Sequence, residues 1–481
     1  MASGKAAARL LAAALLVVLL PGTPVAGAQP DSPPEEERTG AGPTPPPLGD
    51  DRSVPNDDGQ PDRPYTPKTD KGCVQSIPSN VELTDKAWGQ DVLRFQDLPQ
   101  FATGRGQTVA VIDTGVNAHN FLGNRLEGGG DYVSNSTGLD DCDGHGTQVA
   151  GIIAANPPKE YGFRGIAPEA RILSIRQSSD YFEFKAPEGS SEQDRDRAGS
   201  LVTLAKAVVN AANRGATVIN MSVDTCRLAN DPRLDGPIRS DERDLQRALR
   251  YAVEDKNVVV VSSAGNIPGP DCKDQNSSDP ENPTYIVTPP WFSEYVLSVA
   301  AVDRAGDPAE FTMHGPWVSV AAPGTDIITL NPGSREDLVN VSASADGKAA
   351  PIQGTSFAAP YVAGLAALVR EEFPDLTAEQ VMDRIKATAA HPAAVGGHNV
   401  QIGYGMIDPM AALTGTVPGE DGVPKDEPID VPFSMPPPYE KNWVPVQVAV
   451  IGSAGGLALL LVTLFIVRTV RRQRREPGDE L

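Results

Sequence analysis

The stretch TVAVIDTGV, Thr108 to Val116, runs from apolar and β-branched residues into an acid and a glycine. A strand with one wet face alternates polar and apolar residues. This one does not, so it reads as a strand buried on both faces. Five similar runs follow: RILSIR (171–176), TVINMSV (217–223), NVVVVSSA (257–264), YVLSVAAV (295–302) and VSVAAP (318–323). Between and after them, segments with helical spacing cover 145–155, 200–214, 241–255, 357–372 and 377–388. Strands alternating with helices predict an α/β fold in three layers, with a mostly parallel central sheet and helices on both faces. Functional groups in such sheets gather beyond the carboxyl ends of the strands, which is where Asp113 stands.

The 481 residues include 63 Asp and Glu against 41 Lys and Arg, a net charge of −22. Phosphate binding needs a basic face, so this balance argues against a nucleic-acid partner. Both ends carry membrane signals. Lys5 and Arg9 flank the apolar run LLAAALLVVLL (10–20), and Ala26-Gly27-Ala28 follows. These are the three regions of a secretory signal peptide, with cleavage expected after Ala28. VQVAVIGSAGGLALLLVTLFIV (446–467) carries no charge. As a helix it reaches about 33 Å, enough for a hydrocarbon core of about 30 Å. Arg468, Arg471, Arg472, Arg474 and Arg475 come next, and such a cluster stays cytoplasmic. The expected protein is single-pass in the cell membrane, its folded part extracytoplasmic and its tail cytoplasmic.

Composition divides the exported part. PDSPPEEERTGAGPTPPPLGDD (30–51) is too poor in apolar groups to fold alone. PGEDGVPKDEPIDVPFSMPPPYEKNWVP (418–445) reads as a stiff, extended spacer. The expected order is a signal peptide (1–28), an extension packed on its neighbour (29–84), one folded domain (85–413), a proline-rich acidic linker (414–445), a transmembrane helix (446–467) and a basic tail (468–481). Cys73, Cys142, Cys226 and Cys272 all fall in the exported part, which permits two disulfides in any of three pairings. The spacings hold no zinc or EF-hand motif, and no cofactor is expected.

Three further segments carry chemistry. DCDGHGTQVAG sets His145 between two glycines at the start of a helix, and GTSFAAPYVAGLAALV (354–369) sets Ser356 at the mouth of another. Glycine flanks let a substrate reach a side chain without meeting a Cβ. A helix amino terminus also offers N–H groups to a developing oxyanion. VVSSAGN ends a strand at Asn266, an amide donor placed to supply a second hydrogen bond. Asp-Thr-Gly also marks proteases in which two carboxylates share a proton. That chemistry needs a second such tripeptide and an all-β fold, and this sequence offers neither.

In combination, VIDTGV, DGHGTQVAG, SSAGN and GTSFAAPYVAG resemble the four signatures of subtilisin-like serine proteases, in the chain order Asp, His, Ser. The resemblance covers about residues 85–413. It implies that Ser356 is the nucleophile, His145 the general base and Asp113 the group that orients the imidazole. It implies an oxyanion hole from Asn266 and the Ser356 N–H, and a substrate channel lined by Ser222, Val223, Asp224, Ser263, Ala264 and Gly265. With a signal peptide, a proline-rich extension, a spacer and an anchor, the chain looks like a mycosin, a membrane-anchored subtilase of type VII secretion systems. That likeness implies cleavage of selected secreted proteins, and a role in holding the secretion membrane complex together through its membrane components. The alternative is an assembly component with slow or restricted proteolysis.

The same view pairs Cys73 with Cys142, stapling the extension beside the His145 loop. Cys226 is expected to pair with Cys272, because both follow strands that should be neighbours. One departure stands out. Where subtilases usually have Ser-Leu-Gly, this chain has Ser222-Val223-Asp224, which adds bulk and charge beside the cleft. SSDYFEFKAPEGSSEQDRDRAG (178–199) reads as a solvated surface insertion, and His119 as structural.

Overall fold

The computed structural model describes residues 41–69, 72–74, 84–184, 198–234, 236–269, 272–343, 349–420 and 444–473. The signal peptide, most of the linker and the end of the basic tail lie outside them, as does much of the 178–199 insertion. The chain divides into two units, residues 1–424 and 425–481.

The first unit is built on a seven-stranded sheet. Its strands are β1 (Thr108–Asp113), β2 (Leu126–Asp131), β3 (Arg171–Arg176), β4 (Val218–Met221), β5 (Val259–Ser263), β6 (Leu297–Val302) and β7 (Val318–Pro323). They lie in the order β7-β6-β5-β4-β1-β3-β2, and every neighbouring pair is parallel. β1 is therefore an interior strand, with four strands on one side and two on the other. From it β4 to β7 build outward on one side, while on the other β3 is inserted between β1 and the edge strand β2, so the direction of winding reverses between β1 and β4. Ligand crevices form at such reversals.

Helices α1 (His145–Ala154), α2 (Leu201–Asn213), α3 (Ser240–Arg250), α4 (Thr355–Glu372) and α5 (Ala378–Ala387) form the outer layers. Thr355 to Arg370 of α4 are all buried. Its many small residues (Ala358, Ala359, Ala363, Gly364, Ala366 and Ala367) let neighbours approach on several faces, between the larger Phe357, Tyr361, Leu365 and Leu368. A Cβ at Gly364 would lie 2.0 Å from Ile166 Cγ2.

β2 was not expected. LEGGGD lacks the β-branched pattern of its neighbours, and its register with β3 slips between Gly128 and Gly130. A Cβ on Gly129 would lie 2.7 Å from Ile175 Cγ1, so β2 packs there only because it has no side chain. The α4 helix also begins two residues ahead of the expected position.

The extension lies along the first unit. Ala41 N–H donates to Ala229 O, and the Trp291 indole to Gly42 O. Arg243 and Gln246 of α3 both bind Pro46 O. Tyr132 OH binds Asp57 and Ser200 Oγ binds Asp62. Thr66–Pro67 then pairs antiparallel with Phe182–Glu183, and Val74 N–H reaches Cys142 O.

The second unit is described only by α6 (Val444–Gln473). Its Val444–Arg472 span has a mean hydropathy of 2.5, so it is long and apolar enough to cross a membrane.

Candidate active site

Asp113, the last residue of β1, is fully buried, and its Oδ1 lies 2.7 Å from His145 Nδ1. The imidazole side chain stays 29% exposed, so its other edge can be reached from outside. Two glycines permit the contact. Gly144 caps α1 at φ 83°, a left-handed conformation. At Gly146 a Cβ would sit 2.0 Å from the Gly115 carbonyl oxygen, so the helix could not approach the Asp-Thr-Gly turn with any side chain there.

Behind this pair lies Asp141, to which sequence reasoning gave no role. Its buried carboxylate accepts from Gly144 N–H (2.7 Å), Thr114 Oγ1 (2.8 Å), Thr147 N–H (2.8 Å) and Thr147 Oγ1 (2.6 Å). Thr114 N–H donates in turn to Asp113 Oδ1 at 2.7 Å. Asp141 thus accepts from the first N–H groups of α1 and ties that helix to the end of β1, although burial raises its pKa. The signal in the sequence was an acid three residues ahead of Gly144, with a threonine after the glycine that follows His145.

Burial pulls the His145 pKa down. The charge and hydrogen bond of Asp113, with Asp141 and Asp143 behind it, outweigh burial and raise it to about 9. Asp143 is pushed up to about 6 by burial, although Ser179 Oγ and Asp180 N–H donate to it. His119 is held near 4 by burial. Its Nδ1 accepts from Phe121 N–H and its Nε2 faces Asp337 O, so both ring nitrogens are engaged with backbone.

Ser356 is the second residue of α4. Its Oγ donates to Ser222 O at 3.2 Å, and its carbonyl accepts from Ser222 Oγ at 2.9 Å. Among the described residues the hydroxyl has no hydrogen bond to His145. Asn266 lies beside it: its Oδ1 accepts from Thr355 N–H (3.0 Å) and Thr355 Oγ1 (3.2 Å). Since Oδ1 must be the acceptor, the amide orientation is settled and Nδ2 is left to donate.

Ser222-Val223-Asp224 leaves β4 and Ser263-Ala264-Gly265 leaves its neighbour β5, so the two segments emerge side by side. A Cβ on Gly265 would meet Val287 Cγ1 at 3.2 Å and Asp224 Oδ1 at 3.7 Å. One Asp224 carboxylate oxygen therefore lies close to Gly265. Disulfides join Cys73 to Cys142 and Cys226 to Cys272. Among the described residues, no group of three acidic, His or Cys side chains is placed to hold a metal.

Residues 104–405 match the profile of the subtilase family. Mycosin-1 of Mycolicibacterium smegmatis is 40% identical over 89% of this chain and 94% of its own length. A solved structure of the MycP3 protease from the type VII (ESX-3) secretion system is 42% identical, with a TM-score of 0.69, covering 78% of this chain and all of that one. A chain in the structure of an intact ESX-5 inner membrane complex is 37% identical, with a TM-score of 0.68, covering 87% of this chain and 100% of that one. The chain therefore belongs to the subtilase family of serine proteases and, within it, to the mycosins.

Proposed function

We propose that this chain is a membrane-anchored serine endopeptidase that works outside the cytoplasm beside a type VII secretion complex, processes selected secreted proteins and helps hold that complex together. Ser356 is its nucleophile, His145 the base and then the acid, and Asp113 the group that orients the imidazole. The observation that carries the reading is the 2.7 Å bond between Asp113 and His145 Nδ1, because it leaves the other ring nitrogen to take a proton. As substrate enters, the Ser356 hydroxyl exchanges its bond to Ser222 O for one to that nitrogen. Oγ then attacks the scissile carbonyl, its proton passes to His145, and the carbonyl electron pair moves onto oxygen. Asn266 Nδ2 and the Ser356 N–H receive that oxyanion. Collapse expels the amine, which takes the proton from His145, and water repeats the sequence to release the acid.

Residues 1–28 serve as the signal peptide, 29–84 as a retained extension, 85–413 as the protease, 414–445 as the spacer, 446–467 as the anchor and 468–481 as the cytoplasmic tail. Membrane placement is supported by α6 and by similarity to a chain of an inner membrane complex. The same similarity favours a second reading, in which assembly is the main role and proteolysis is restricted. Labelling the detergent-solubilised full chain with a fluorophosphonate tests the chemistry. Wild type should label at Ser356 and Ser356→Ala should not; an unlabelled wild type refutes the hydrolase. Secretion in cells carrying Ser356→Ala then separates the two roles, since assembly needs no hydroxyl.

A further inference from the structure

Pro360 lies inside α4 as its sixth residue. Proline has no N–H, so the carbonyl four residues back, that of Ser356, lacks its usual helical donor. Ser222 supplies one. Its Oγ lies 2.9 Å from Ser356 O and 2.9 Å from Asn220 Nδ2. The amide nitrogen can only donate, so the Ser222 proton has one direction left, toward Ser356 O. Ser222 is 5% exposed and Asn220 is fully buried, so no bulk water competes for either bond. The end of β4 and the first turn of α4 are thus joined through a carbonyl that a proline has left open.

We infer that the Ser222 side chain is a positioning residue, which uses the carbonyl freed by Pro360 to hold the Ser356 backbone in register with the substrate-binding segment 222–224. The inference rests on the assignment of Ser356 as nucleophile, and it adds a side-chain role to a residue otherwise read as a backbone partner of the substrate. A tie from α4 to β4 has a different consequence from a donor within α4. Either one satisfies the carbonyl, but only the first sets where Oγ stands relative to the strand that carries the peptide.

That difference supplies the test. The second-order rate of fluorophosphonate labelling and the thermal midpoint are measured on the full chain for Ser222→Ala, Ser222→Thr and the double variant Ser222→Ala with Pro360→Ala. Ser222→Ala should label about 10- to 100-fold more slowly, the cost of a small misplacement of reacting groups. Ser222→Thr keeps the hydroxyl and should recover most of the rate. In the double variant Pro360→Ala returns an N–H to the helix, so the thermal midpoint should recover while labelling stays slow. Recovery of labelling together with the midpoint would reduce Ser222 to a structural donor and overturn the inference, as would an unchanged rate in Ser222→Ala. Failure of the wild-type chain to label refutes the hydrolase itself, so the two failures are distinguishable.

Discussion

Asp113, Asp141 and Asp143 outweigh burial and raise the His145 pKa to about 9, so lowering the pH below that favours the doubly protonated ring over the one whose second nitrogen can accept a proton. A general base works only when unprotonated, so labelling of Ser356 should rise as the pH is raised from 7 through 9. The sign for stability is the reverse. A folded pKa above the unfolded value of about 6.5 means the pair's contribution is complete below that pH and lost as pH passes 9. Asp143→Asn removes one of the three charges, so the rising limb of the profile should move toward lower pH. Asp143 itself is raised to about 6 mainly by burial, so it favours the folded state below pH 4 and loses that advantage as pH climbs through 6. Its replacement should therefore stabilise the protein at pH 7.5, by no more than about 3 kcal/mol, read from urea unfolding. Asp224 is the other residue with a legible consequence. One of its carboxylate oxygens lies beside Gly265. Asp224→Gly should admit bulky side chains at the cleavage site in a peptide-library profile, and a preference for acidic side chains in the wild type would contradict this placement.

At the scale of elements, the site depends on how closely α1 approaches the turn after β1. Gly146→Ala places a methyl group 2.0 Å from a backbone oxygen, where nothing flexible can yield. The helix must then withdraw, stretching the bond between Asp113 and His145. Stability should fall by about 1–3 kcal/mol, and labelling by a larger factor than stability alone explains. Labelling at the wild-type rate would show that the turn yields instead. The β2 edge of the sheet shows where periodicity fails. β2 is invisible as LEGGGD because strand preference depends on side chains packing on a pleated surface, and here the packing requires their absence.

For the first unit as a whole, the question is what keeps the extension in place. Its ion pairs are partly wet: Arg52, paired with Glu254, is 64% exposed, and Asp58, paired with Lys206, is 48% exposed. Such pairs contribute little. The hold comes from backbone bonds to Ala229, the Trp291 indole and α3, and from the disulfide to Cys142. That disulfide closes a loop of 69 residues, worth about 4 kcal/mol on the chain-entropy view. Cys73→Ser should lower the urea midpoint and make the extension the first segment cut in limited proteolysis. An unchanged cutting order would assign the hold to the backbone bonds alone.

The sequence alone determined the parallel sheet, because continuous apolar strands leave no wet face and force helices onto both sides. It also singled out the segments that carry Asp113, His145, Asn266 and Ser356, because a glycine beside a polar side chain has steric reasons that hold locally. Only the tertiary structure decided the supports: Asp141 beneath the dyad, Ser222 on the carbonyl opened by Pro360, and Asp224 across from Gly265. Each of these is a contact between segments brought together by the sheet order. A hydrogen bond between residues 222 and 356 depends on which strand lies beside which helix. That is set by the packing of the whole core, and no local run of residues contains it.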